Sequence, residues 1–148
     1  MRLEHFGDSY DIVKKSLLQW LSRFGPWAAH PMFTHPTNAA EAEAFSRFLG
    51  VPLVATDVLD TVCDRAHYFA SCHECHSLLL DPDTAVRLEA IEGRRAPEFI
   101  FSKELIDLAN VRPQALTLTF DQSPTRGRER QQIRSKLGCG MIEVVPGE

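Results

Sequence analysis

The sequence has no long apolar run. Its longest, such as Leu78-Leu79-Leu80, fall far short of the ~20 residues that a membrane-spanning helix needs, so no membrane partner is expected. The opening Met1-Arg2-Leu3-Glu4-His5 holds an acid and no apolar core of a secretory signal, which makes the cytoplasm the expected compartment. Cysteine is scarce, four in 148 residues, and three of the four fall between Cys63 and Cys75. In a reducing compartment such clustering points to metal rather than disulfides. Nor is there an excess of positive charge: 16 Lys and Arg against 20 Asp and Glu give a net charge of −4. That balance argues against a protein that coats nucleic acid by bulk charge and leaves room only for a local basic patch.

What is present suits a folded chain. Apolar residues make up 44% and charged residues 24%, close to globular averages and far from the composition of disorder. A length of 148 residues fits one domain, taken as 1–148. Ser9 to Phe24 places Val13, Leu17, Trp20, Leu21 and Phe24 at the spacing of an amphipathic helix, capped by Asp8 or Ser9 and stopped by Gly25-Pro26. Trp27 to Thr34 reads as a strand, and Asn38 to Glu41 as a capping box opening a helix that ends at Gly50. Val51 to Ala55 and Ser77 to Leu80 read as short buried strands, and the turn Asp81-Pro82-Asp83-Thr84 ends the latter. A loop around Gly93-Arg94-Arg95 precedes a helix capped by Ser102; Ala115 to Phe120 is a strand, Ser123-Pro124 opens a helix through Leu137, and Met141 to Val145 is a last strand. Alternating strands and helices predict an α/β fold with a mostly parallel sheet covered by helices on both faces.

In such sheets the binding crevice lies beyond the carboxyl ends of the strands. Asp8, Asp81, Asp83 and Asp121 are expected there, and convergent carboxylates are hard ligands for Mg²⁺ or Mn²⁺ that could serve a metal-dependent nuclease or phosphohydrolase. Aspartates also cap helices and make turns, the better reading for Asp8 alone and an equal alternative for Asp81 with Asp83.

Asp81-Pro82-Asp83-Thr84 after three leucines resembles the Asp-Pro-Pro-Tyr element after the fourth strand of class I, S-adenosylmethionine-dependent amino-methyltransferases. Tyr10 to Leu18 is similar to the Ala-Asp-Val-Leu-Lys-His opening of the large-subunit ribosomal RNA adenine-N6 methyltransferases, and Leu116 to Leu137 to their late strand, basic turn and helix. The resemblance implies a three-layer Rossmann-like fold, with a target amine bound at Asp81 and Pro82. It brings RNA or another phosphate-containing ligand into view, with Lys14, Pro82, Arg126 and Arg128 as the expected substrate contacts. It also implies S-adenosylmethionine, although the family's Gly-rich loop is missing here and His30-Pro31-Met32-Phe33-Thr34-His35 stands in its place. Whether the chain lacks C-terminal elements of longer family members is left open by the sequence.

Cys72-His73-Glu74-Cys75 is a Cys-x-x-Cys knuckle, and Cys63 and His67 sit upstream at helical i, i+4 spacing. The four residues Cys63, His67, Cys72 and Cys75 could supply a tetrahedral structural zinc site; buried, unligated thiols are the alternative. The last helix carries Arg126, Arg128, Arg130, Arg134 and Lys136 against one acid, Glu129, a candidate phosphate or RNA contact or simply a solvated face. Three functional readings follow. One is a degenerate or divergent methyltransferase-like domain working at the Asp81-Pro82-Asp83 crevice; the others are a metal-dependent phosphohydrolase and a non-catalytic binding module with structural zinc.

Overall fold

In a computed structural model the described residues are 6–74, 76–121 and 128–136. The helices start where short polar side chains satisfy amides that the first turn leaves unpaired. Helix α1 (Ser9–Leu21) is capped by Asp8, whose carboxylate accepts from the amides of Tyr10 and Asp11. Strand β1 (Trp27–His30) follows, and then helix α2 (Ala39–Leu49). There Asn38 Oδ1 accepts from the Glu41 amide at 2.9 Å and Glu41 returns a bond to the Asn38 amide at 3.0 Å, the capping box read in the sequence. Gly50 ends α2 with φ of 78°, a left-handed conformation that costs glycine little.

Helix α3 (Arg65–Ala70) and a 3₁₀ turn over Ser71–Glu74 lead into strand β2 (Ser77–Leu80). Strand β3 (Ala85–Arg87) and strand β4 (Phe99–Phe101) come next, then helix α4 (Ser102–Val111), strand β5 (Thr117–Thr119) and helix α5 (Glu129–Lys136). Strands β1, β2 and β5 form one sheet with β2 in the centre, and every pairing is parallel: Ala28 faces Leu78 and Leu78 faces Thr117. β3 and β4 pair separately, also in parallel. The chain is therefore an α/β structure with small parallel sheets.

Alternation along the strands divides the core. Ala29 and Leu79 pack with Leu18 of α1 and with Phe45 and Leu49 of α2, whereas Leu78 and Leu80 pack with Tyr68, Phe69, Cys72 and Leu108. Arg65 joins α3 to the smaller sheet: its guanidinium donates to the Phe99 carbonyl at 2.8 Å, pairs with Glu104 and stacks 4.4 Å from the Phe101 ring.

Several sequence expectations are corrected. Strand β1 stops at His30 rather than Thr34, because Pro31 has no amide to donate and Met32 takes a positive φ of 47°. Val51 to Ala55 forms no strand and contributes only a bridge between Leu53 and Ala29. Ser102 does not cap α4. It is the first helical residue and donates to the Arg87 carbonyl, while Glu104 satisfies the Phe101 amide at 2.8 Å. Strands β3 and β4 were not expected. The largest correction concerns α1, which buries Asp11, Lys14 and Leu18 and leaves Val13, Leu17, Trp20 and Phe24 exposed. The expected strand Met141 to Val145 lies outside the described residues, as does the Ser123-Pro124 helix start.

The reciprocal bonds at Asn38 give the fold a local test. Asn38→Ala should lower the unfolding free energy by about 1 kcal/mol in urea titration, and a loss below about 0.3 kcal/mol would show that the box contributes little.

Candidate functional site

Parallel strands bring their carboxyl ends to one edge, and there the chain places His30 at the end of β1, Asp81 just after β2 and Asp121 two residues after β5. The Asp81 amide donates to the His30 carbonyl at 3.0 Å, which fixes the two residues side by side.

Asp81 is fully engaged. Lys14 of α1 donates to Asp81 Oδ2 at 2.8 Å and to Asp11 Oδ1 at 3.0 Å, and all three side chains are buried. Asp11 Oδ2 also accepts from the Gly7 amide, and the Phe120 ring lies 5.0 Å from the Lys14 ammonium. Burial pushes the Asp81 carboxyl above its usual range, against the pull of Lys14. Burial also disfavours the Lys14 ammonium, yet Asp81 and Asp11 together raise its pKa, so it stays charged. A buried charge stripped of its partner is costly, so this cluster holds α1 on the sheet edge.

His30 is buried and packs 4.9 Å from the Tyr68 ring and 5.7 Å from that of Phe69. Its Nδ1 accepts from the Met32 amide at 3.3 Å, which leaves the proton on Nε2, and among the described residues Nε2 has no hydrogen-bond partner. Burial lowers its pKa to about 4. His30 and Asp11 were not singled out as site residues in the sequence, because the groups that complete their surroundings, Tyr68 and Phe69 at His30 and Asp81 across Lys14 from Asp11, come from distant segments.

The other expected site residues have separate partners. Asp8 caps α1 and is exposed. Asp83 accepts from Thr34 Oγ1 at 3.4 Å, and Pro82 is buried. Asp121 pairs with Lys136 of α5 and accepts from the Val86 amide at 3.5 Å. The carboxylates thus share an edge but are spent on a cap, an ammonium pair and loop bonds. Of the expected zinc ligands, Cys63 is half-buried, His67 is exposed and Cys72 is buried in the core, while Cys75 lies outside the described residues. Burial, then Asp60 and Asp64, push the Cys63 thiol up, away from the thiolate that zinc requires. Among the described residues no three His, Cys, Asp or Glu side chains are grouped to hold a metal.

The fit to S-adenosylmethionine fails on the loop after β1. A cofactor cradle there needs backbone open to close approach, yet Pro31, Met32 and Phe33 are buried, with Met32 and Phe33 packed into the core. Asp81, the carboxylate that would meet a target amine, is buried against Lys14.

An open cleft lies beyond Asp83. About 590 Å³ in volume, it runs between residues 85–91 with Phe99 on one side and Arg128, Gln131, Gln132, Ser135 and Lys136 on the other. Among the described residues, Arg87, Arg128 and Lys136 line it with the single acid Glu89, and the Arg87 guanidinium lies 5.1 Å from the Phe99 ring. Of the expected substrate contacts, Arg128 is here, Lys14 is buried with Asp81, and Arg126 lies outside the described residues. Arg87 was missed because its role depends on β3, a strand too short to read. No family model, curated protein or solved structure matches the chain. Among the described residues no helix is long and apolar enough to cross a membrane.

Two outcomes test this edge. Lys14→Met should cost about 3–5 kcal/mol in urea unfolding, because it strands two buried carboxylates, and Asp81→Asn should also destabilise; a Lys14→Met loss under about 1 kcal/mol would remove the cluster's structural role. His30 supplies the pH dependence. Its folded pKa of about 4 lies below the ordinary 6.5, so its contribution is complete above pH 6.5 and falls as the pH drops toward 4. The decline should reach roughly 3 kcal/mol. Asp81, with its raised pKa, works in the opposite direction, so the difference between wild type and His30→Gln isolates the imidazole. Parallel stability profiles for the two proteins from pH 7 to 4 would refute the assignment.

Proposed function

We propose that the chain is a degenerate methyltransferase-like domain of three-layer Rossmann type that binds a phosphate-containing ligand, RNA foremost, without methylating it. The observation that carries the reading is the cleft beside Asp121, where Arg87, Arg128 and Lys136 converge with the amides of Gln131 and Gln132. Guanidinium and ammonium groups around a concave surface suit phosphate oxygens, and amide side chains add donors and acceptors for base or sugar groups. An arginine already resting on the Phe99 ring offers a plane on which a base can stack. The sequence resemblance to ribosomal RNA methyltransferases supports RNA over other phosphates. The division of the core by the two faces of β2, with α1 and α2 toward Leu79 and α3 and α4 toward Leu78 and Leu80, supports the layered fold. Binding is favoured over catalysis because Asp81 and His30 are enclosed, and Asp121 is occupied by Lys136.

Fluorescence anisotropy with a short single-stranded RNA, with inorganic phosphate as a competitor, tests the reading. Arg87→Ala combined with Arg128→Ala should weaken binding by at least about tenfold and flatten the salt dependence by roughly 0.7 per lost phosphate contact. Wild-type protein that fails to bind at low salt, or a double variant that binds as wild type does, would sink the proposal.

A further inference from the structure

Helix α1 turns an apolar stripe outward. Tyr10, Val13, Leu17, Trp20 and Phe24 follow one another at steps of three and four residues, the spacing of a coiled-coil seam. Val13 and Trp20 are each 53% exposed and Phe24 73%, and the Trp20 and Phe24 rings meet edge to face at 5.2 Å. Phe6, ahead of the cap and of Gly7 with its positive φ, rests against Phe45 and Phe48 of α2 and is half exposed. An amphipathic helix normally turns such a seam to its own core. Here that side is taken by Asp11, Lys14 and Leu18.

We propose that a second copy of this chain covers the stripe, its own α1 lying antiparallel on the first. A two-fold pairing of either sense would join apolar side chains, and charge and helix dipoles select the antiparallel one. About a two-fold axis near Lys15, Val13 meets Leu17 of the second copy and Tyr10 meets Trp20, so the helical members of the stripe find apolar partners. Charge agrees: the exposed carboxylate of Asp8 at one end of α1 comes beside the exposed Arg23 just past the other end. A parallel pair would instead set Arg23 against Arg23. Antiparallel helices also oppose their dipoles. Ser16 flanks the seam near the axis and bonds its hydroxyl to the Ile12 carbonyl, leaving a small side chain where the helices approach. Tyrosine and tryptophan, which meet on either side of the axis, are among the residue types that dominate interface energies.

Sedimentation equilibrium of the full chain tests the pairing. Wild type should be dimeric at about 100 µM, and Leu17→Glu and Trp20→Glu should each be monomeric there with unchanged far-ultraviolet circular dichroism. Arg23→Glu, distant from the core, should weaken the dimer by about tenfold at low salt and less at high salt, as loss of the contact with Asp8 requires. It stands as an independent probe should either seam variant misfold. A monomeric wild type would overturn the proposal and leave the stripe to another protein or to another segment of this chain. Folded seam variants that remain dimeric, or an Arg23→Glu dimer tighter than wild type, would overturn it equally.

Discussion

The ammonium of Lys14, enclosed by Asp11 and Asp81, is the constraint on which the rest of the arrangement turns. Burying an ammonium with two carboxyl groups is expensive, and their attraction offsets that cost only while the geometry holds. Asp81 is fixed by the backbone at the end of β2, so α1 must present Lys14 and Asp11 to it. Residues three and four apart share a helix face. Once positions 11 and 14 point inward, 18 follows into the core, and 13, 17 and 20 are left outside. A polar contact between residues 67 apart in sequence thus decides which apolar residues reach solvent.

That contact also marks the boundary of what the sequence discloses. Features whose partners are neighbours could be read directly: the Asp8 cap, the box at Asn38 and Glu41, the Gly50 stop and the compact run Ser77–Leu80 all appear where local chemistry puts them. α1 itself was legible, but its orientation was not, because periodicity identifies an apolar face without showing what the opposite face will meet. Its five apolar side chains outvoted Asp11 and Lys14 only because Asp81 was not visible as their partner. β3 and β4, three residues each, are too short for alternation to register, and Phe99–Phe101 is buried at every position. The cleft depends on β3, and so it was legible only through Arg128 and Lys136 of the basic segment.

The candidate site shows the same division between local and distant causes. Acids after strands were expected at one edge, and parallel pairing of β1, β2 and β5 sets Asp81 and Asp121 there. Position alone does not confer chemistry. A catalytic carboxylate or imidazole needs both a tuned pKa and access to substrate. Asp81 and His30 have shifted pKa values but are enclosed, so their perturbation reports burial rather than readiness to react.

Asp121 has the opposite character, since it is only half-buried and acts through what it positions. By pairing with Lys136 it draws α5 toward β3, and by accepting from the Val86 amide it steadies the strand that carries Arg87. It therefore shapes both walls of the cleft while neutralising Lys136, one of the cations that line it. Arg87 and Arg128 are left as the groups whose charge is most available to a phosphate, and guanidinium forks bind phosphate with two parallel bonds where a lysine offers a single point charge. Two such clefts in an α1-linked pair would act together only on a ligand long enough to reach both, for which the second contact becomes intramolecular. An extended polyanion meets that condition and a mononucleotide does not, so pairing through α1 would turn a modest local charge into selectivity for length, in a chain whose overall charge is negative.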